Sequence, residues 1–183
     1  NNKYGIYESS PKEPSEVDIK IAKRIAELIE DESTIQLGIG GLPDEVGRLL
    51  IERGARDLGV HTEMFTESMM EMFEAGVITN RKKSLNPGKA VCTFVVGSAK
   101  LYEFVDHNDM IAAFSVDYTN NPSIIAQNRK QISVNSTLAV DLRGQVSSES
   151  SGHRHISGTG GQLDFTRGAY LSPGGKSIIC LPS

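Results

Sequence analysis

The chain has little of what marks nucleic-acid-binding or membrane-spanning proteins. Its 183 residues include 19 Lys and Arg against 23 Asp and Glu, which gives a net charge of −4, and the basic residues are scattered along the chain. Binding to a phosphate backbone would require them to form a basic stripe or patch. The longest apolar runs, 90–96 and 110–114, are far too short to cross a bilayer. We therefore expect neither nucleic acid nor a membrane among its partners.

Cysteine is also scarce. Cys92 and Cys180 both lie in apolar, strand-like runs, which indicates buried thiols in a reducing compartment and leaves no disulfide framework. His153 and His155 are two residues apart, but no third ligand of matching spacing accompanies them. The sequence therefore predicts no metal site and a cytoplasmic location.

The most informative stretch that is present runs from Gln36 to Asp44. An apolar strand leads into three glycines, and a proline and an acid then open a helix. Such a turn leaves backbone amides uncovered at a helix start, where they can bind an anion, a phosphate or a developing oxyanion. The turn does not match the GxGxxG pattern of dinucleotide-binding proteins because position 43 is proline, and no acid closes a second strand at the ribose-binding offset.

Hydrophobic periodicity predicts an α/β protein. Ser15 fits an N-cap for an amphipathic helix over 16–29, and short apolar strands then alternate with helices as far as residue 132. Beyond that point the sequence predicts a strand over 133–142 that turns at Arg143-Gly144, a second glycine loop at 158–161 and a last strand. Continuous apolar strands separated by helices indicate a mainly parallel sheet with helices on both faces.

Three segments are expected along the chain. Residues 1–14 are polar with two prolines and indicate a linker or extended arm. Residues 15–59 would form a small α/β subregion with the first glycine loop, and residues 60–183 the main α/β domain. The chain starts without methionine and stops directly after an apolar strand, so we expect a piece of a longer polypeptide, truncated at the C-terminal end of that domain.

Two glutamates are candidates for chemistry. Glu63 follows a short apolar strand just ahead of a helix, at the edge where open α/β sheets bind ligands. A carboxylate nucleophile needs amide donors for the oxyanion of the carbonyl that it attacks, and the two glycine loops are candidate donors. The alternative is a solvated glutamate beside a turn. Glu149, flanked by serines, is a rival nucleophile, although a serine-rich exit from a hairpin explains that segment equally well.

Five segments together resemble the acetyl-CoA hydrolase/transferase family, and within it the branch of butyryl- and 4-hydroxybutyrate-CoA transferases. They are GIGGLPDEV at 38–46, HTEM at 61–64, NNPSII at 120–125, VNSTLAVDLRGQV at 134–146 and SGTGGQLDF at 157–165. They occur in the family's order and extend the resemblance from about residue 15 to the end. The sequence departs from the family's pattern at Thr159, where an aliphatic residue is expected, and at 65–67 after the TEM motif.

The resemblance implies a CoA-transferase-like open α/β fold and a set of site residues. In that family a glutamate attacks the acyl-CoA carbonyl and later forms a glutamyl-CoA thioester, without a metal or prosthetic group, so coenzyme A enters as a substrate. This implies Glu63 as the nucleophile, with Glu149 as second choice. It implies that Lys176 meets the phosphates of CoA. The full set of implied CoA-binding and oxyanion residues is Gly38, Ile39, Gly40, Gly41, Leu42, Asn135, Gly160, Gly161 and Lys176.

The expected reaction moves CoA between a short-chain acyl-CoA and a carboxylic acid of the 4-hydroxybutyrate, butyrate or acetate class. A hydrolase would differ only in letting water reach the glutamyl thioester, and a non-catalytic CoA-binding module is a further alternative. Family members have two similar α/β domains with the active site between them. The expected partners are therefore an amino-terminal domain of the same polypeptide and further copies in a homo-oligomer, and the isolated chain is expected to have little activity.

Overall fold

The computed structural model describes residues 5–10 and 13–182. Within these ranges the helices are α1 (Glu16–Leu28), α2 (Gly41–Glu52), α3 (Glu67–Glu74), α4 (Ala99–Val105), α5 (Val116–Thr119), α6 (Pro122–Ile125) and α7 (Gln162–Leu171). The strands are β1 (Thr34–Leu37), β2 (Gly59–Val60), β3 (Met64–Phe65), β4 (Ala90–Cys92), β5 (Phe94–Val95), β6 (Ile111–Ala113), β7 (Gln131–Ser136), β8 (Ala139–Val140), β9 (Val146–Ser147), β10 (Ser150–Ser151), β11 (Arg154–His155) and β12 (Lys176–Cys180). The alternation of helices and strands confirms the predicted α/β class.

Local sequence signals explain the first helix. The Ser15 hydroxyl accepts a hydrogen bond from the Asp18 amide at 3.2 Å, and the Asp18 carboxylate accepts one from the Ser15 amide at 2.9 Å. This capping box satisfies two of the amide groups that a helix start leaves unpaired. The helix buries Ala22, Ile25 and Ala26, which recur at helical spacing and pack in the main core.

The central sheet has the strand order β12-β7-β1-β2, and every pairing in it is parallel. A bridge between His61 and Val91 links the end of β2 to β4, which pairs in parallel with β6. All four residues of β1 are buried, so both faces of the sheet are covered at its centre. Because the strands are parallel, their carboxyl ends meet at one edge, and the loops that follow them lie close together.

The structure corrects the prediction for residues 133–142. The polar members of its alternating pattern, Ser133 and Asn135, are buried and belong to β7, the neighbour of β1 in the parallel sheet. They remain buried because they form hydrogen bonds with Gln36 on β1. The antiparallel hairpin begins only at β8, which pairs with β9 across the predicted turn at Arg143-Gly144.

The division of the chain near residue 59 stays a prediction. Strand β1, from the first of the two expected subregions, lies between β2 and β7 in the sheet. Part of the expected arm, residues 1–4 and 11–12, lies outside the described residues. Farther along the arm, the Tyr7 carbonyl accepts a hydrogen bond from the Tyr102 hydroxyl, and the Ser9 amide donates one to Gly97.

The two thiols are buried, as the sequence predicts. Cys92 is fully buried in β4 and Cys180 lies at the end of β12, and neither forms a disulfide. Burial raises the pKa of the Cys92 thiol to about 11. No helix among residues 5–10 and 13–182 has both the length and the apolar character that a membrane span requires.

Helix α7 is positioned by a close contact between Gly168 and Ile125 of α6. A Cβ added at Gly168 would lie 2.4 Å from Ile125 Cγ2, which is closer than real Cβ atoms come to other heavy atoms. We therefore predict that Gly168→Ala lowers the free energy of unfolding by about 1–3 kcal/mol through overpacking, although alanine usually stabilises a helix. Thermal unfolding of the variant measures the effect.

The matched control is Gly158→Ala, because a Cβ there meets nothing within 4 Å. Equal melting temperatures for the two variants would contradict the proposed contact between α6 and α7.

Candidate functional site

A cavity of about 300 Å³ lies where the strands of the central sheet end. Its wall combines the exits of β1 and β7, the segment between β2 and β3, and the loop that precedes α7. Both candidate glutamates, Glu63 and Glu149, line it. The other predicted site residues that line it are Gly38, Ile39, Asn135, Gly160 and Gly161.

Glu63 is held by both its backbone and its side chain. Its carbonyl oxygen accepts hydrogen bonds from the Thr93 amide at 2.8 Å and the Phe94 amide at 3.2 Å, which fixes the backbone beside β4 and β5. Its half-buried carboxylate accepts a hydrogen bond from the Gly161 amide, with 2.7 Å between Oε2 and N. Residues 98 positions apart in sequence therefore meet in the cavity.

Gly161 is the N-cap of α7, a helix of 10 residues. The amides at a helix start carry partial positive charge, which favours a carboxylate at that position. A Cβ on Gly161 would lie 2.2 Å from Glu63 Oε2 and 2.6 Å from Asn120 Nδ2, so only glycine leaves room for both groups. A Cβ on Gly160, by contrast, would meet nothing within 4 Å.

Asn120 is a candidate site residue that sequence reasoning missed. Its side chain is buried and converges on Gly161 together with Glu63. Its Oδ1 atom has no hydrogen-bond partner among the described residues, which is costly for a buried amide. The motif NNPSII contains Asn120, but the available signal, an N-cap at Asn121 followed by Pro122, explains only the helix that follows.

Asn135 lines the cavity but is tied to its neighbours. Its amide nitrogen donates to Gln36 Oε1 at 3.0 Å and to Ser133 Oγ at 2.9 Å, and its Oδ1 accepts from Gln36 Nε2 at 3.0 Å. Sequence reasoning did not single out Gln36 or Ser133. This buried network fixes the ends of β1 and β7 beneath the cavity. The implied contact between Asn135 and CoA stays a prediction.

The first glycine loop is divided between two places. Gly38 and Ile39 line the cavity, but the Gly38 amide already donates to the Val134 carbonyl at 2.8 Å. Gly40, with φ of 118°, lines a neighbouring cavity together with Ile39, and Gly41 begins α2. The Leu42 side chain is buried in the hydrophobic core. The loop therefore contributes a wall of the site, while the Gly161 amide makes the contact with Glu63.

The structure does not bring Lys176 into this cavity. Lys176 begins β12 at the amino edge of the parallel sheet, where it pairs with Ile132. The cavity lies at the opposite edge, where Asn135 of β7 lines it. Asn135 is three residues beyond Ile132, which corresponds to about 10 Å along the strand. The Lys176 ammonium donates to the Leu28 carbonyl at 2.8 Å and to Glu30 at 3.0 Å. We therefore leave Lys176 out of the proposed site.

Two ionisable groups near Glu63 have shifted pKa values. The pKa of Asp164, in the first turn of α7, is raised mainly by burial and further by the charge of Glu63. The ring of His61 lies buried two residues before Glu63, and burial lowers its pKa to about 4. His61 Nε2 lies 2.9 Å from the Thr119 carbonyl and Nδ1 lies 3.2 Å from Asn128 Nδ2. A neutral ring that donates from Nε2 and accepts at Nδ1 satisfies both contacts.

Comparisons with known proteins show which family the chain resembles. Residues 97–183 match the family described as the acetyl-CoA hydrolase/transferase C-terminal domain. The chain is 51% identical over 178 residues to a 4-hydroxybutyrate coenzyme A transferase of Clostridium kluyveri, covering 97% of this chain and 41% of that protein. It is 52% identical over 171 residues to a probable butyrate:acetyl-CoA coenzyme A-transferase of Syntrophomonas wolfei, covering 93% and 38%. The chain thus spans about two fifths of the length of these relatives.

The fold matches that of a solved CoA-transferase. The crystal structure of a 4-hydroxybutyrate CoA-transferase from Porphyromonas gingivalis superposes with a TM-score of 0.85 at 43% identity, covering 97% of this chain and 41% of that one. This confirms the predicted CoA-transferase-like α/β fold. Similarity to an acetyl-CoA hydrolase of Kluyveromyces lactis is weaker, at 27% identity over 175 residues, covering 88% of this chain and 32% of that protein.

The depressed pKa of His61 predicts a pH dependence of stability. Between the ordinary pKa of 6.5 and about 4, His61 binds a proton in the unfolded chain but not in the folded one. The free energy of unfolding is therefore unaffected by protonation of His61 above about pH 6.5. As the pH falls from there to about 4, protonation of His61 in the unfolded chain lowers it by about 3 kcal/mol in total. Urea unfolding at several pH values measures this loss.

The variant His61→Gln isolates the effect, because carboxylates titrate in the same range. The difference in unfolding free energy between the original chain and this variant should shrink as the pH falls from 7 to 4. A difference that does not change with pH, or an NMR titration of the His61 ring near pH 6.5, would contradict the prediction.

Proposed function

The chain belongs to the acetyl-CoA hydrolase/transferase family, and we propose that the protein containing it transfers CoA between a short-chain acyl-CoA and a carboxylic acid. The observation that carries the proposal is the Glu63 carboxylate, held 2.7 Å from the Gly161 amide at the start of α7. A carboxylate nucleophile beside an oriented amide donor is what acyl transfer requires. The substrate classes named for the relatives, 4-hydroxybutyrate and butyrate, are proposed for this protein as well.

In the first half of the proposed reaction, a Glu63 oxygen attacks the thioester carbonyl carbon of acyl-CoA. The carbon–sulfur bond breaks, CoA leaves as the thiolate, and an acyl-glutamyl anhydride remains. The thiolate then attacks the Glu63 carbonyl carbon and displaces the acid as its carboxylate. Glu63 now carries CoA as a glutamyl thioester, and no proton has been gained or lost.

In the second half, an incoming carboxylate attacks the glutamyl thioester and displaces the CoA thiolate, which gives a second anhydride. The thiolate attacks the acyl carbonyl of that anhydride, so that the new acyl-CoA leaves and the Glu63 carboxylate is restored. The thioester energy is conserved throughout. These steps use no metal or prosthetic group, because CoA enters and leaves as a substrate.

The groups around Glu63 can stabilise the oxyanions of these steps. Once Glu63 is acylated, its carboxylate no longer holds the Gly161 amide, and that amide can donate to the negative oxygen that forms on the attacked carbonyl. Asn120 Nδ2, which lies beside Gly161, is the second donor in this proposal. Removing one oxyanion donor typically costs a hundredfold or more in rate.

Hydrolysis is a second candidate function, because an acetyl-CoA hydrolase is among the weaker relatives. It would use the same glutamyl thioester and differ only in admitting water. The full proposal also includes an amino-terminal domain of the same polypeptide, because the relatives extend well beyond the matched region. The cytoplasmic location, the homo-oligomer and the absence of a prosthetic group stay predictions.

The glutamyl thioester can be trapped. We predict that a full-length form, incubated with acyl-CoA and then reduced with borohydride, carries an alcohol in place of the Glu63 carboxylate, because hydride reduces the thioester carbon and expels CoA. Mass spectrometry of the peptide containing Glu63 detects the change. The isolated chain is expected to give much less product.

Two variants accompany the trapping experiment. Glu63→Asp should lower turnover by about a hundredfold, because the carboxylate would lie roughly one methylene short of the carbonyl, and Glu149→Gln should still be labelled at Glu63. If the label lies on Glu149, or on neither residue, the assignment of the nucleophile is wrong.

Gly161 and Gly160 provide a matched pair. Gly161→Ala is expected to displace the Glu63 carboxylate, because the new Cβ would lie 2.2 Å from Oε2, and to lower kcat by about a hundredfold. The contacted atom ends a flexible side chain, so the melting temperature should change little. Gly160→Ala, with open space around its Cβ, should leave the Glu63 carboxylate in place and lower kcat much less than Gly161→Ala does. Equal activities of the two variants would refute the role given to Gly161.

A further inference from the structure

Two residues remain unexplained by the proposed reaction, one in the cavity and one in the glycine loop beside it. Glu149 lines the same cavity as Glu63 but has no part in the steps above. Thr159 departs from the aliphatic residue expected at its position in the family's pattern. The structure places these two residues in contact, since Thr159 Oγ1 donates a hydrogen bond to Glu149 Oε2 at 3.2 Å.

Glu149 also binds the loop through its backbone. Its carbonyl oxygen accepts hydrogen bonds from the Ile156 amide at 2.8 Å and the Ser157 amide at 3.2 Å. Among residues 158–160, only Thr159 forms a hydrogen bond with another part of the described chain, through its hydroxyl group. These residues belong to the second glycine loop, 158–161, which contains Gly158, Gly160 and Gly161.

Packing does not hold the middle of this loop. A Cβ on Gly158 or Gly160 would meet nothing within 4 Å, and residues 157–160 are exposed. Glycine has more backbone freedom to lose than any other residue, so an unanchored loop of this composition samples many conformations. At its far end, the Gly161 amide is fixed by the Glu63 carboxylate.

The chemistry removes that second anchor. In the anhydride and the thioester, Glu63 no longer carries a charge, and the charge-assisted hydrogen bond to Gly161 is lost or weakened. Yet these are the steps in which the Gly161 amide must remain aimed at a carbonyl oxygen. The contact between Thr159 and Glu149 does not involve Glu63, so it does not depend on the charge of the Glu63 carboxylate.

We propose that Glu149 is a positioning residue, which holds the second glycine loop through Thr159 so that the Gly161 amide stays in place while Glu63 is acylated. This inference rests on the proposed function. It assigns Glu149, the rival nucleophile in sequence terms, a role that acts through the loop. It also explains why position 159 carries threonine, because an aliphatic side chain could not donate a hydrogen bond to the Glu149 carboxylate.

The test removes the donor without changing its shape. In the full-length protein, Thr159→Val should lower kcat about 10- to 100-fold, a cost typical of a misplaced catalytic group, while the KM for acyl-CoA changes less than about threefold. Thr159→Ser keeps the hydroxyl and should keep kcat within about threefold of the unaltered protein. Thr166→Val is the matched control, because it makes the same change of side chain on α7, outside the second glycine loop.

A double-mutant cycle tests whether Thr159 and Glu149 act together. Glu149→Ala should lower kcat as much as Thr159→Val, and the double variant should be no slower than either single variant. Glu149→Gln keeps an acceptor oxygen and should stay within about tenfold. All variants should unfold at the temperature of the unaltered protein, because the contact is exposed.

Several results would overturn the inference. The first is an unchanged kcat in Thr159→Val, and the second is an equal decrease of kcat in Thr159→Val and Thr166→Val. The third is a double variant whose decrease in kcat equals the product of the decreases in Thr159→Val and Glu149→Ala. The variant Glu63→Gln distinguishes this failure from failure of the proposed function. If Glu63→Gln is inactive while Thr159→Val has full activity, only the inference on Glu149 fails; if Glu63→Gln is fully active, the proposed function itself fails.

Discussion

The hydrogen bond from the Gly161 amide to the Glu63 carboxylate is the contact on which the proposed chemistry depends. It joins the segment between β2 and β3 to a helix start that lies 98 residues later in the chain. The lack of a side chain at Gly161 makes the contact possible, and the packing of Gly168 on Ile125 helps to place α7 where the contact can form. The packing of α7 and the glycine at position 161 therefore both affect the proposed nucleophile through the Gly161 amide.

The parallel sheet supplies the frame for this contact. Its strand ends bring the exits of β1 and β7 to the same edge as Glu63, and a buried polar network of Gln36, Ser133 and Asn135 fixes these exits. Buried amides and hydroxyls are tolerated there because they are hydrogen-bonded to one another. The His61 ring is buried beside this layer and stays neutral at pH 7, because burial lowers its pKa to about 4.

The sequence alone could predict those features that depend on local pattern. Glycine loops, the capping box at Ser15 and a glutamate at a strand end all have local signals, and parallel topology then places Glu63 near the glycine loops. Lys176 could not be placed in this way, because a basic residue near a strand carries no sign of which sheet edge it occupies. The break between β4 and β5 at Thr93 also lacks a signal in the apolar run of 90–96. Asn120 and Thr159 could not be assigned roles because their partners, Gly161 and Glu149, are distant or belong to another loop.

The most direct test of the central claim follows oxygen atoms through the reaction. During turnover with an oxygen-18-labelled carboxylic acid, the second anhydride must leave one labelled oxygen on the nucleophilic glutamate when the new acyl-CoA forms. Mass spectrometry of peptides from the full-length protein locates that atom without any trapping reagent. The account predicts heavy oxygen in the Glu63 carboxylate and none in the Glu149 carboxylate. Turnover that leaves Glu63 unlabelled, or that labels Glu149 instead, would contradict it.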